Sequence, residues 1–474
     1  MNWEDHLRRI IILALLVGAV AAFGQTEAVE AGASEKIEIT VGRSAPGPAE
    51  RIAAAAVTPQ LGSLLAEVLR RNPEAAAAVA RARAADQRAP QARSLPDPTA
   101  SIAVYLMTPE TRVGPQRGMA TLAQRIPWFG KLTLRERAAV AGAVAAWAEV
   151  EAKELALVTE TQRLFWELAF LDAWEEAVRL DRETLIHYEE LARSRYSAGI
   201  GIQQATIKLQ AEVTKAENRL LEIANRRAAL VASINALRDL PGAAPIERIE
   251  LPASVAVSAD LQRWRDEALV SRPEISRADA EIEQCRAAIE LAKKEYFPDI
   301  TAGITYTMVG PRTDLDAGMA APAGNGDDIF GVSAGVNLPI WRKRLEAGVE
   351  EAIARRNAAE EMRRAVVASI DASLGELAQR IELTGRQIVL FDDVLLVQAE
   401  QALSSAVSAY GAGSLNALEL LDAQRVLLEV RTSAARARAD YAIAVARMSG
   451  AAGQPVGATS FSDVAAVREE NDND

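Results

Sequence analysis

Glu419 and Asp422 stand three residues apart in a stretch of helical character, a spacing that sets both carboxylates on one helix face. Repeated around the axis of an oligomer, such a pair makes a negative ring that draws cations, repels anions and raises some of its own carboxylate pKa values. The same residues have a second reading. Asn416 followed by Glu419 has the spacing of a capping box, and acids in a first turn stabilise a helix start.

Residues for bond-making chemistry are missing. Beyond the first 24 positions His187 is the sole histidine and Cys285 the sole cysteine, so no His/Cys metal site, histidine-based catalytic set or intrachain disulfide can be assembled. No glycine loop for phosphates is present. Met107, Met119, Met308 and Met319 could offer thioethers to soft metals, but read better as lipid or loop packing. The chain reads as neither an enzyme nor a cofactor protein. Its net charge of −12 also argues against a nucleic-acid surface.

The elements that would hold the acidic pair are long helices. Half of the 474 residues are hydrophobic, many of them alanine, and only 5% are aromatic, a composition suited to closely packed helices. Tyr196-Ser197-Ala198-Gly199 and Tyr410-Gly411-Ala412-Gly413 each interrupt a window free of proline, between Pro127 and Pro241 and between Pro339 and Pro455. Glycine ends a helix cheaply because it alone adopts the left-handed cap without strain, so each break is a tight helix-to-helix turn.

The plan occurs twice. Asn72-Pro73-Glu74 is echoed by Arg272-Pro273-Glu274, Leu95-Pro96-Asp97 by Phe297-Pro298-Asp299, Ile126-Pro127 by Leu338-Pro339 and Lys131 by Lys343. The expected organisation is an export signal over 1–24, a linker or extended arm over 25–58, a first repeat over 59–240, an irregular equatorial linker over 241–258, a second repeat over 259–449 and a disordered acidic tail over 450–474. Residues 60–94 read as helix. The first repeat then holds strands near 98–107 and 118–126, a long helix 131–195 and a return helix 202–239. The second holds strands near 299–309 and 328–338, a long helix 343–409 and a return helix 414–449. The apolar run Ile10 to Phe23 is too short to span a bilayer and follows Arg8 and Arg9, as in a secretory signal. Glu4 and Asp5 leave an uncleaved inner-membrane anchor as the alternative.

Both strand pairs alternate, the second most cleanly: Ile300, Ala302, Ile304, Tyr306 and Met308 interleave with Thr301, Gly303, Thr305 and Thr307. Period two over about ten residues suits a membrane barrel strand. A half-exposed strand in a soluble sheet is the other reading. Four membrane strands cannot close a barrel, and an open edge in hydrocarbon leaves backbone groups unsatisfied, so several chains must pool their strands. Trp128, Phe129 and Trp341 follow the prolines that close the strands, where an interfacial aromatic belt would sit.

The pattern resembles the outer-membrane efflux family typified by TolC, from about residue 60 to 450. Local matches are Ile126-Pro127-Trp128-Phe129-Gly130-Lys131-Leu132, Val336-Asn337-Leu338-Pro339-Ile340-Trp341 and Tyr410-Gly411-Ala412-Gly413 leading to Leu420-Leu421-Asp422-Ala423-Gln424. The proline-aromatic-glycine-lysine form is most similar to the heavy-metal branch, the CzcC- and CusC-like proteins. The resemblance implies a mainly α protein with a membrane β part: a homotrimer whose four strands per chain form an outer-membrane β-barrel, continued into the periplasm by a long α-helical barrel. It implies three partners besides lipid and the other subunits: a periplasmic adaptor (membrane fusion protein), an inner-membrane transporter of the resistance-nodulation-division (RND) type, and a substrate, heavy-metal cations, that passes outward. Tyr196, Ala198, Gly199, Tyr410, Ala412 and Gly413 would meet the adaptor. Three-fold repetition would make Glu419 and Asp422 a six-carboxylate constriction. In the first copy Ala205 stands in the place of Glu419 and Lys208 in that of Asp422, so a Lys208 to Asp422 pair is one way to close the mouth. Leu415 occupies the place of a basic residue that helps hold relatives shut. A drug or type I protein export duct, or a periplasmic adaptor or coiled-coil scaffold, are the competing readings.

Overall fold

A computed structural model describes residues 46–251, 261–312 and 320–455; the expected signal, residues 456–474 of the expected tail and Met319 lie outside the described residues. The chain divides into two compact units, one of residues 88–138 and 286–354, the other of 46–87, 139–285 and 355–455. No helix among the described residues is long and apolar enough to cross a membrane.

In the larger unit, helix α1 (Pro48–Ala54) buries Ala49 and Ile52 in the main core. This corrects the expected arm over 25–58, whose last part is helical and packed. The helical stretch expected over 60–94 is divided into α2 (Pro59–Arg71), α3 (Pro73–Asp86) and α4 (Arg88–Arg93), the last of which opens the smaller unit. The break before Pro73 has a local cause: proline pushes Asn72 out of the helical region, and the Asn72 side chain then caps Glu74 N and Ala75 N. Pro273 likewise stands at the first position of α8 (Pro273–Lys294), one residue after α7 (Leu261–Ser271) ends.

Helix α5 (Lys131–Ser197) has 67 residues, about 100 Å at helical rise. It is followed by α6 (Gln203–Leu237). The second long helix is not uniform. It runs as α9 (Arg342–Val389), a π-helical segment (Leu390–Leu395) and α10 (Leu396–Gly411), before α11 (Ala417–Ala452). Arg438 on α11 donates to Asp392 within the π segment at 2.7 Å. Helix α11 ends at Gly453 with φ 67°, so the first residues expected in the tail are helix and cap.

The cores of the larger unit are formed where aliphatic stripes meet. Leu61 and Leu65 pack with Phe165, Leu168, Ile234 and Ile443, while Trp264 and Ile275 pack with Ile370, Leu374, Tyr441 and Met448. Tyr188, Leu209, Tyr410, Leu420 and Leu421 form a third cluster around the two turns.

The smaller unit carries the sheet. Strands β1 (Thr99–Val104), β3 (Gly114–Ile126), β4 (Ile300–Val309) and β5 (Ile329–Val336) lie antiparallel in that order, and a two-residue strand β2 (Glu110–Thr111) folds back on the start of β3. β3 is longer than its alternation indicates because β2 gives Gly114 and Pro115 a partner. Register does the sorting. Ile102 pairs with Ala120, Ala120 with Tyr306 and Tyr306 with Phe330; likewise Leu122 pairs with Ile304 and Ile304 with Val332. Apolar residues therefore share one face across the strands, while Thr121, Thr305 and Ser333 lie in the other parity. The Thr121 and Thr305 hydroxyls are 3.4 Å apart.

Candidate functional site

Two places in the chain bring together the residues singled out above. The first comprises the turns. After α5, Gly199 takes φ 73°, and the Ile200 and Gly201 amides both donate to the Arg195 carbonyl at 3.0 Å. After α10, Gly413 takes φ 80°, and the Ser414 amide donates to the Ala409 carbonyl at 3.0 Å. Ala198 and Ala412 are exposed beside them.

The structure separates the two tyrosines that the repeat equates. Tyr410 is 6% exposed and Tyr196 47%. Tyr410 packs in the cluster of Tyr188, Leu209 and Leu420, and Arg195, which the sequence reading passed over, covers it: its guanidinium lies 4.7 Å from the Tyr410 ring centroid and donates to the Tyr410 carbonyl, tying one turn to the other. Ala409 holds the corresponding position before Tyr410, and this difference was the available signal. Ile200, Ile202, Ala205, Leu415 and Leu418 line a groove of about 420 Å³ against Arg195 and Tyr410. Ile200 and Ile202 were likewise not singled out.

Glu419 closes a capping box. Asn416 Oδ1 accepts from Leu418 N at 2.8 Å and Glu419 N at 3.1 Å, and Glu419 Oε2 accepts from Asn416 N at 3.4 Å. Asp422 is exposed, with Arg425 3.5 Å away. Arg425 also reaches Glu212 on α6 at 2.6 Å, and Lys215 reaches the same carboxylate at 2.8 Å. Burial works to raise the Glu212 carboxyl, but the bonds from Lys215 and Arg425 outweigh it and hold it below the usual range. Lys208 is exposed, and among the described residues it pairs with neither Asp422 nor another acid. Within one chain, Arg425 rather than Lys208 bridges α6 and α11.

The second place is a charged cluster where β3 and β4 meet α5. Lys131 is fully buried, and its ammonium donates to Asp299 Oδ1 at 2.8 Å, Phe297 O at 3.1 Å and Glu295 Oε2 at 3.2 Å. All three of its protons are thereby used. Asp299 accepts as well from Arg125 Nη2 at 2.6 Å and Trp128 N at 3.0 Å. Burial would raise this carboxyl; Lys131, the Trp128 amide and Arg125 instead bring it down to about 2. Of the three expected interface aromatics, Phe129 and Trp341 are 77% and 71% exposed, whereas Trp128 stacks on Phe297 at 5.6 Å and is half-buried.

Long paired helices joined by glycine turns, with an antiparallel sheet between helical segments, define the outer-membrane channel class of fold. The structure of the outer membrane protein VceC from Vibrio cholerae aligns with a TM-score of 0.69, covering 84% of this chain and 97% of that one at 22% identity. Residues 264–454 match the family described as Outer membrane efflux protein. The chain is similar to this outer-membrane efflux protein family over that stretch, about two fifths of its length. The cobalt-zinc-cadmium resistance protein CzcC of Cupriavidus metallidurans is 25% identical over 244 residues, 51% of this chain and 54% of that protein. The pyoverdine export outer membrane protein OpmQ of Pseudomonas aeruginosa is 23% identical over 300 residues, 60% of this chain and 58% of that protein. The chain thus spans a little over half the length of these curated relatives.

Proposed function

We propose that the protein is the outer-membrane exit duct of a tripartite RND-type efflux pump, a homotrimer that passively conducts heavy-metal cations from periplasm to exterior. The observation that carries this reading is the register of the sheet. It gathers the apolar residues of β1, β3, β4 and β5 on one face and leaves the outer edges of β1 and β5 without a strand partner among the described residues, so the sheet suits hydrocarbon only if other copies continue it. Four main strands per chain in two duplicated halves would give twelve in a trimer. The turns carrying Tyr196, Ala198, Gly199, Tyr410, Ala412 and Gly413 would meet a periplasmic adaptor, which in turn would hold the inner-membrane transporter. Glu419 and Asp422 would form the constriction, with Lys208 available to Asp422 of another copy. Family members are passive channels, not enzymes, and the pump supplies the energy.

Similarity to the cobalt-zinc-cadmium resistance protein supports metal cargo, and the longer match to OpmQ favours a second reading, a duct for pyoverdine-like small molecules. A deletion strain separates them. Sensitivity to zinc, cobalt and cadmium with normal pyoverdine secretion is expected; the reverse pattern would assign the second cargo. Purified protein that forms no conducting pore in planar bilayers would end the duct reading.

A further inference from the structure

The two hairpins of the sheet share one register, and this makes the missing neighbour of each edge strand specific. Asp97 and Asp299 are 202 positions apart, as are Pro96 and Pro298, whereas Lys131 and Lys343 are 212 apart, as are Pro127 and Pro339. Moving the observed pair Ala100 with Leu122 forward by these two offsets lands on Ala302 with Ala334, which is also an observed pair. Ile102 with Ala120 maps in the same way onto Ile304 with Val332. The equivalence is therefore geometric as well as textual.

Between the hairpins lies the β3–β4 junction, locked at its base by Lys131 and Asp299. Carried through the same offsets, this junction becomes β5 against β1, and Lys131 with Asp299 becomes Lys343 with Asp97. Within one chain those strands are the two opposite edges of the sheet. We infer that Asp97 of one copy and Lys343 of the next form a seam ion pair, with β5 laid antiparallel on β1 so that Val336 faces Ala100, Ala334 faces Ile102 and Val332 faces Val104. The inference rests on the oligomeric duct proposed above, and its occupant is a second copy of this chain.

Four observations converge on that occupant. Lys343 and Asp97 are both exposed, and neither has an ion-pair partner among the described residues. Their charges are complementary. Ile102, Val104 and Val332 are at least 70% exposed, and the inferred register continues the apolar face through them; a slip of one residue would set Ser101 and Ala103 against it. Trp128, which stacks on Phe297, maps to Ile340, and Phe297 maps to Leu95; these two aliphatic side chains are also exposed and would meet at the seam.

The seam is a weaker version of the internal junction. Arg125, which binds Asp299, maps to Asn337, and Glu295, which binds Lys131, maps to Arg93. Arg93 is turned instead toward Glu136 at 3.3 Å. Asp97 and Lys343 would thus hold each other with fewer supporting charges than their internal counterparts.

The test uses the full-length chain in outer membranes, with Cys285→Ser to remove the native thiol. Oxidation should crosslink copies carrying Ala100→Cys with Val336→Cys, while Ser101→Cys with Val336→Cys stays uncrosslinked. Separately, Asp97→Lys or Lys343→Glu alone should lower the yield of detergent-resistant oligomer roughly tenfold, because each leaves like charges facing at the seam, and the two together should restore it to within about twofold. An intact oligomer that crosslinks in the shifted pair, or that shows no rescue in the double variant, would overturn the register while leaving the duct reading in place. A wild-type chain that forms no oligomer would overturn both.

Discussion

Lys131 and Asp299 are 168 residues apart in sequence and 2.8 Å apart in space, with the lysine side chain wholly buried and the aspartate 3% exposed. The pair fastens the start of α5 to the start of β4. Removing the lysine alone strands a buried carboxylate, so Lys131→Met should destabilise the smaller unit by about 3–5 kcal/mol. Denaturant-induced loss of sheet signal by circular dichroism measures this. An unchanged midpoint would mean that Arg125 and the Trp128 amide suffice for Asp299.

The same cluster sets an acid limit. Because Asp299 is held at about 2, below its ordinary 3.8, its stabilising contribution is present above about pH 4 and is lost as pH falls toward 2. Asp299→Asn should be less stable at neutral pH and should lose that part of the acid dependence. Thermal melts from pH 2 to pH 7 on both proteins would reveal it.

Asp181 behaves oppositely. It is buried, accepts from Gln424 Nε2 at 2.8 Å, and burial pushes its carboxyl above the usual range, while Gln424 Oε1 has no partner. Burial favours the neutral carboxyl over the carboxylate at this position. Its favourable contribution is present below the ordinary carboxylate range and falls away as pH rises through the raised folded value. Asp181→Asn keeps the acceptor and adds the donor, so stability at neutral pH should rise by about 1 kcal/mol. A lower melting temperature at pH 7 would count against this account.

Arg195 ties the two turns. Arg195→Ala removes a charge-assisted hydrogen bond and a cation–π contact, together worth roughly 1–3 kcal/mol. Faster hydrogen exchange at residues 196–202 and 411–416, with higher single-channel conductance, is expected. Exchange unchanged in both segments would show that the turns are held by other contacts.

Substitutions at the second turn need care. Gly413 has φ 80°, and a Cβ there would meet Arg195 Nη2 at 3.1 Å, so Gly413→Trp perturbs the turn as well as any docking surface. Gly411 is free of both problems, with no atom within 4 Å of an added Cβ. Gly411→Trp should keep the oligomer and abolish adaptor crosslinking; normal crosslinking would remove this turn from the docking surface.

Glu419 can be tested for its two roles separately. Glu419→Gln retains an acceptor for Asn416 N but removes the charge, whereas Glu419→Ala removes both and should cost about 0.3–1 kcal/mol. If the carboxylate ring is real, both variants lose cation selectivity in reversal-potential measurements. Selectivity retained in the glutamine variant would leave Glu419 as a cap alone.

Local rules were readable without coordinates. The alternation from Ile300 to Val309 specified a two-faced strand, and Gly199 and Gly413 stood where a chain must enter the left-handed region, because steric limits on φ act within a few residues. The same rules, applied more strictly at Pro73 and Pro273, would have marked the breaks between α2 and α3 and between α7 and α8. The burial of Lys131, the different fates of Tyr196 and Tyr410, and the bridge from Arg425 to Glu212 were settled by tertiary structure. Each depends on residues more than 160 positions apart, brought together by strand register and helix packing, and free energy of that kind has no signature in either partner's neighbours along the chain.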